Sequence, residues 1–219
     1  MKNRFSTKYM ACTAMLVAVS YLAVLLTRGI PKVSGFLSYE PKDAIIVMAG
    51  FIFGPMTAAL LSLLTSFLEF ITISTTGPWG LLMNVLASCA FSVPAAWLYH
   101  KKRTKQGALI GLGVGVLSMT ACMLLWNYII TPFYMGVERA EVAAMLATVF
   151  LPFNLVKGGI NAGIALLLYK PLVTALRKGG FVEQAEEGKR GKFSWGSLLL
   201  ALIVLVSFGL WFLVLIGVL

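Results

Sequence analysis

Charge is what this sequence has least of. Lysine, arginine, aspartate and glutamate make up 12% of the chain, about half the roughly 25% of a soluble domain, too little to cover a water-facing surface. There are 8 acidic residues and 1 histidine, so the paired carboxylates or histidine-centred dyads of acid–base catalysis are hard to assemble. That histidine, His100, stands at the basic end of an apolar run and reads as an interfacial residue, not a catalyst. The 3 cysteines, Cys12, Cys89 and Cys122, lie in separate apolar runs without paired spacing, which argues against a disulfide framework or a metal site and for small buried apolar residues. Gly111-x-Gly113-x-Gly115 has no strand before it and no Lys-Ser/Thr after it, so it is no phosphate loop. It reads as a close-packing face of a helix, and the chain is expected to carry no ATPase of its own.

What fills the sequence is apolar. It is 59% hydrophobic with a mean hydropathy of +0.91. A bilayer core about 30 Å thick needs about 20 apolar residues per helix, and Tyr9–Thr27, Ala44–Ser74, Gly80–Tyr99, Ala108–Tyr134, Val142–Tyr169 and Trp195–Leu219 qualify. The fold class is all-α, an integral membrane bundle of six or seven transmembrane helices. The basic stretch Met1–Lys8 precedes a run as long as a full span, with no small-x-small cleavage site after it, so that run is kept as helix 1 and not as a signal peptide. The net charge of +10 reads as a topology signal and not as a nucleic-acid patch, because the basic residues sit in short loops between spans.

Ala44–Ser74 is either one long tilted helix or a hairpin turning at Gly54-Pro55, a strong turn signal. Charge counting leaves the choice open: both topologies place 13 basic residues inside against 4 outside. The basic flank of helix 1 favours the hairpin with the N-terminus inside. That topology puts Arg28–Lys42, Ile73–Trp79 and Thr131–Glu141 outside, and the first of these, rich in turn formers, has the makings of a lid.

The informative residues are polar ones where lipid would penalise them. Lys157 lies near the middle of Val142–Tyr169, where a charge costs about 2.5–3.5 kcal/mol on insertion scales. Asn154, Lys157 and Asn161 share one helix face, and Pro152 either kinks the helix or begins it. Lys157 then faces a cavity or, if the helix begins at Pro152, snorkels to the interface. Asn127 between Trp126 and Tyr128, Asn84 one turn into its span, and Glu69 near the outer end of its run point to the same half of the bundle. Aromatic walls, amides and one cation suit a planar heteroaromatic ligand.

Four segments carry a family likeness: Ala14-x-x-x-Ala18, Asp43 to Pro55 (DAIIVMAGFIFGP), Thr75 to Asn84 (TTGPWGLLMN) and Pro152 to Gly158 (PFNLVKG). Through them residues 8 to about 178 resemble the substrate-binding (S) components of energy-coupling-factor vitamin transporters, of the riboflavin-binding type. The resemblance implies a six-helix bundle over 1–178 with both ends cytoplasmic and the hairpin at Gly54-Pro55. It also implies riboflavin captured from outside, with the flavin ring meeting Asn127, Asn154 and Lys157. Asp43 and Asn84 join the ligand-binding set, and Leu37 and Gly77 close over the site. Ala14 and Ala18 would meet a membrane coupling protein that works with two cytoplasmic ATPase subunits, although from the residues alone packing within the bundle is the better reading of the alanine pair. No cofactor or metal is implied, riboflavin being cargo.

The likeness leaves a cytoplasmic tether, 179–192, and one additional transmembrane helix, 193–219, whose few polar residues are serines. That helix is expected to be peripheral, facing lipid or a partner helix and leaving the pocket untouched. The alternatives are the same scaffold tuned to another vitamin or metabolite, an intramembrane lipid-modifying enzyme, or an assembly subunit whose polar residues satisfy only one another. The expected location is a bacterial plasma membrane.

Overall fold

A computed structural model describes residues 6–182 and 195–219, so most of the expected tether lies outside the described residues. The helices are α1 (Thr7–Thr27), α2 (Lys42–Phe53), α3 (Pro55–Thr72), α4 (Gly77–Lys101), α5 (Lys105–Met135), α6 (Arg139–Met145), α7 (Leu151–Lys178) and α8 (Trp195–Leu215). A π-helical turn, Leu146–Phe150, joins α6 to α7 without a break. Among the described residues, six stretches are long and apolar enough to cross a membrane, with α6 through α7 counted as one. The described chain is an all-α bundle.

The Ala44–Ser74 stretch is a hairpin. Gly54 has φ +110°, which favours glycine, and Pro55 opens α3 at a position where its missing N–H costs nothing. At about 1.5 Å per residue, the 12 residues of α2 are too short to span. Their place resolves the difficulty, because α2 packs against α1, α3, α4 and α7 and all but three of its residues are buried. Protein, not lipid, surrounds it, so its length need not match the bilayer.

One end of the bundle gathers the start of α1, the α2–α3 turn and the end of α4. Tyr9 Oη lies 2.9 Å from Thr57 Oγ1, and His100 Nε2 lies 3.1 Å from the Gly50 carbonyl. A carbonyl only accepts, so the imidazole donates there; His100 is a tie between helices. At the other end Tyr21 Oη donates to Thr72 Oγ1 at 2.7 Å, close to the connections 28–41 and 73–76.

The glycines of α5 act as packing residues. A Cβ at Gly111 would stand 2.7 Å from the Ala95 carbonyl oxygen, one at Gly115 would collide with the Phe91 carbonyl oxygen, and one at Gly113 would meet nothing. Gly115→Leu is therefore expected to destabilise the bundle by about 1–3 kcal/mol through overpacking, while Gly113→Leu leaves it unchanged. Thermal unfolding of the two variants in detergent tests this, and equal melting temperatures would disprove it.

Pro152 stands in the first turn of α7, but α7 continues α6 and the π turn without a break, so Lys157 is not shallow. The proline ring crowds the carbonyl four residues earlier and offers no N–H. The wider π turn over Leu146–Phe150, directly before it, suits that disruption. The helix therefore runs unbroken from Arg139 to Lys178, with Lys157 well inside it.

Candidate functional site

The connection between α1 and α2 is folded. Val33 and Leu37 exchange backbone hydrogen bonds at 2.9 and 3.0 Å, with Ser34 and Gly35 at positive φ in the turn between them. This tucks Leu37 inward and lays residues 36–40 over a cavity of about 260 Å³, just below the roughly 300–1,000 Å³ of small-molecule sites. Phe36, Tyr39, Trp79, Trp126, Tyr134 and Phe153 supply aromatic walls, and Asn84, Asn127, Asn154 and Lys157 supply polar groups.

Lys157 does not snorkel. Its Nζ donates to Glu40 Oε2 at 3.0 Å and stands 3.9 Å from Asp43 Oδ2. Lys42, fully buried at the start of α2, donates to Glu69 Oε1 and Oε2 at 2.7 and 2.6 Å and lies 3.2 Å from Glu40 Oε2. Asn84 Nδ2 completes the network with a 2.9 Å bond to Glu69 Oε2. Burial alone would raise the Glu40 carboxyl, but the ammonium groups of Lys157 and Lys42 beside it outweigh burial and hold it below the usual carboxylate range. Two lysines face three carboxylates, Glu40, Asp43 and Glu69, each with an ammonium group within 4 Å. Such proximity offsets the cost of keeping the charges out of water, although the acids outnumber the lysines and Asp43 Oδ2 has no hydrogen-bond partner among the described residues.

Two asparagines are pre-set by their own helices. Asn127 Nδ2 donates to the Met123 carbonyl at 2.7 Å and its Oδ1 accepts from Thr131 Oγ1 at 2.8 Å. Asn154 Nδ2 donates to the Phe150 carbonyl, in the π turn, at 2.8 Å. An amide nitrogen carries two hydrogens, so each side chain is held in orientation with donor capacity in reserve. Asn161 faces the loop instead, giving a 3.1 Å bond to the Glu40 carbonyl.

Of the residues expected to bind ligand, Leu37, Asn84, Asn127, Asn154 and Lys157 line one cavity. Asp43 and Gly77 do not. Asp43 is fully buried behind the wall, accepting from Ser88 Oγ, with Oδ2 turned toward Lys157. Gly77, at φ +60°, starts α4 and aims its neighbours Thr76 and Trp79 into the cavity. Sequence reasoning treated Lys42 as a topology charge and overlooked Glu40. The signal was the cluster Glu40-x-Lys42-Asp43 at the start of an otherwise apolar helix, since charges so placed need partners. Ala14 and Ala18 lie away from the cavity, exposed on the outer face of α1.

A polytopic helical bundle whose polar side chains converge on one cavity beneath a folded loop is a membrane protein built to hold a small solute. The family model of the substrate-specific component of ECF transporters matches residues 8–169, and the chain belongs to that family. It is 27% identical over 182 residues to the Riboflavin transporter RibU of Staphylococcus aureus, covering 80% of this chain and 96% of that protein. It is 25% identical over 171 residues to the Riboflavin transporter FmnP of Bacillus subtilis, covering 74% and 90%. A solved S component of a bacterial ECF transporter superimposes with a TM-score of 0.65 at 26% identity, covering 77% of this chain and 96% of that one. The chain is a multi-pass transport component of the bacterial plasma membrane and not an enzyme.

Proposed function

We propose that this chain is the riboflavin-binding subunit of an ECF-type uptake transporter. It captures the vitamin at the extracellular face and hands it to a membrane coupling protein driven by two cytoplasmic ATPase subunits. The observation that carries the reading is the convergence of Lys157, Asn154 and Asn127 with aromatic walls on one loop-covered cavity. A flavin ring offers two flat apolar faces and an edge of carbonyl and ring-nitrogen acceptors. Aromatic side chains suit the faces, and amide and ammonium donors suit the edge. The two similar proteins named as riboflavin transporters support the same ligand. Residues 1–178 form the binding unit, 179–192 the cytoplasmic tether and 193–219 an added span. Within the unit Asp43 acts behind Lys157, and Gly77 acts by turning the start of α4 toward the site.

Chain purified in detergent from flavin-replete cells is expected to carry bound flavin, visible as its absorbance band. Protein that is folded, colourless and unable to quench added riboflavin fluorescence would refute the reading. The topology is open to a separate test. Ser34→Cys lies at the exposed turn of the first connection and should react with an impermeant thiol reagent on intact cells. Reaction only after lysis would invert the bundle.

A further inference from the structure

α8 lies beyond the family match, which ends at residue 169. It supplies no cavity-lining residue, as its composition suggests, yet it is not detached. Gly159 and Gly163 of α7 form a groove in which a Cβ at residue 159 would collide with the Phe208 ring and one at 163 would stand 2.8 Å from Leu205 Cγ. Such close approach fixes the axial position of one helix against the other. It brings Phe212, one turn beyond Phe208, onto the loop: the Phe212 and Tyr39 ring centroids are 5.7 Å apart, and Phe212 is buried on a helix whose other large side chains are mostly exposed. Tyr39 lines the cavity, and its hydroxyl reaches Asn161 Oδ1 at 3.5 Å.

We propose that α8 is a brace for the cavity's lid, with Phe212 as a positioning residue that acts on the ligand through Tyr39. Residues 39–40 are gripped from two sides. Lys157 and Asn161 of α7 hold the Glu40 carboxylate and carbonyl, and Phe212 of α8 covers the Tyr39 ring. The polar grip can be exchanged for ligand or water, but the ring contact offers no such substitute. Lifting the lid must separate Tyr39 from Phe212, so α8 slows opening and lengthens the residence of whatever lies beneath. Only the choice of ligand in the test below rests on the riboflavin reading.

The test uses the full chain in detergent and begins with a readout that needs no ligand. Leu37 is buried under the lid, so Leu37→Cys reports opening by its maleimide labelling rate, while native Cys12, fully buried in the α1–α3 core, reports global loosening. Adding Phe212→Ala should accelerate labelling at position 37 by about tenfold, equivalent to about 1.4 kcal/mol and within the range of a lost aromatic pair plus its buried area. Labelling of Cys12 should not change. Phe212→Leu should restore most of the protection, and Val206→Ala, on the exposed face of α8, should have no effect. In chains that keep Leu37, Phe212→Ala should speed riboflavin dissociation by a similar factor and leave association alone. Equal labelling at position 37 with and without Phe212, or parallel acceleration at Cys12, would overturn the brace. A lid that responds in a chain that binds no riboflavin would uphold the brace and refute the ligand assignment instead.

Discussion

Lys157→Met is expected to weaken riboflavin binding by about 10- to 150-fold while the protein stays folded. A hydrogen bond involving a charged group is worth roughly 1.5–3 kcal/mol, which converts to that range of affinity. Methionine keeps the length and bulk of the stem, so the loss isolates the ammonium group. Removing one partner of a buried ion pair commonly strands the other, but Glu40 would keep Lys42 at 3.2 Å, which limits the structural cost. The Lys157–Glu40 bond also defines what the ligand has to do: share the ammonium group with Glu40 or displace it. Titration of detergent-purified variants by flavin fluorescence quenching measures the effect. Unchanged affinity in folded Lys157→Met protein would make the lysine a structural partner of Glu40 alone, and the ligand reading would lose its central contact.

The second large effect concerns uptake without binding. Ala14→Phe or Ala18→Phe is expected to leave riboflavin affinity of the purified chain unchanged. Accumulation by cells should fall about tenfold or more, the scale of a 1–3 kcal/mol overpacking penalty at a close helix contact. Both alanines point outward from α1, while Cys12, Thr13, Leu16, Val17 and Ser20 of the same helix are buried. α8 packs along α7 and leaves these alanines exposed. The small-residue face stays available for the close approach that a coupling protein would need. Parallel loss of binding and uptake would show instead that the substitutions disturb the bundle.

Most of the architecture was legible in the residues because membrane insertion depends on local composition. A run of about 20 apolar residues is readable wherever it occurs, and Gly54-Pro55 marked a turn that charge counting left undecided. The cavity-lining face of α7 was legible for a related reason: Asn154 and Lys157 are conspicuous in an apolar helix, and polar groups at such depth need partners. The identity of those partners was not legible. Lys157 meets Glu40 from 117 residues away and Lys42 meets Glu69 from 27 away, pairings that no local spacing encodes. Both Glu40 and Lys42 stand next to a connection, where a charge normally means only that water is near.

The last helix shows the same division. Its sequence, without acid, base or amide between Trp195 and Leu215, offers a ligand no polar contact, and none of the described residues lining the cavity comes from it. Its relation to the lid depended on how α8 slides along α7, and that was decided by Gly159 and Gly163 admitting Phe208 and Leu205. The sequence by itself determined which segments enter the membrane, where the chain turns and which side chains lipid would not tolerate, because each follows from the transfer free energy of a short stretch. The tertiary structure alone decided that Glu40 takes Lys157, that Asp43 stands behind the cavity wall and that Phe212 rests on Tyr39. Each of these is a contact between distant parts of the chain, set by close packing in three dimensions.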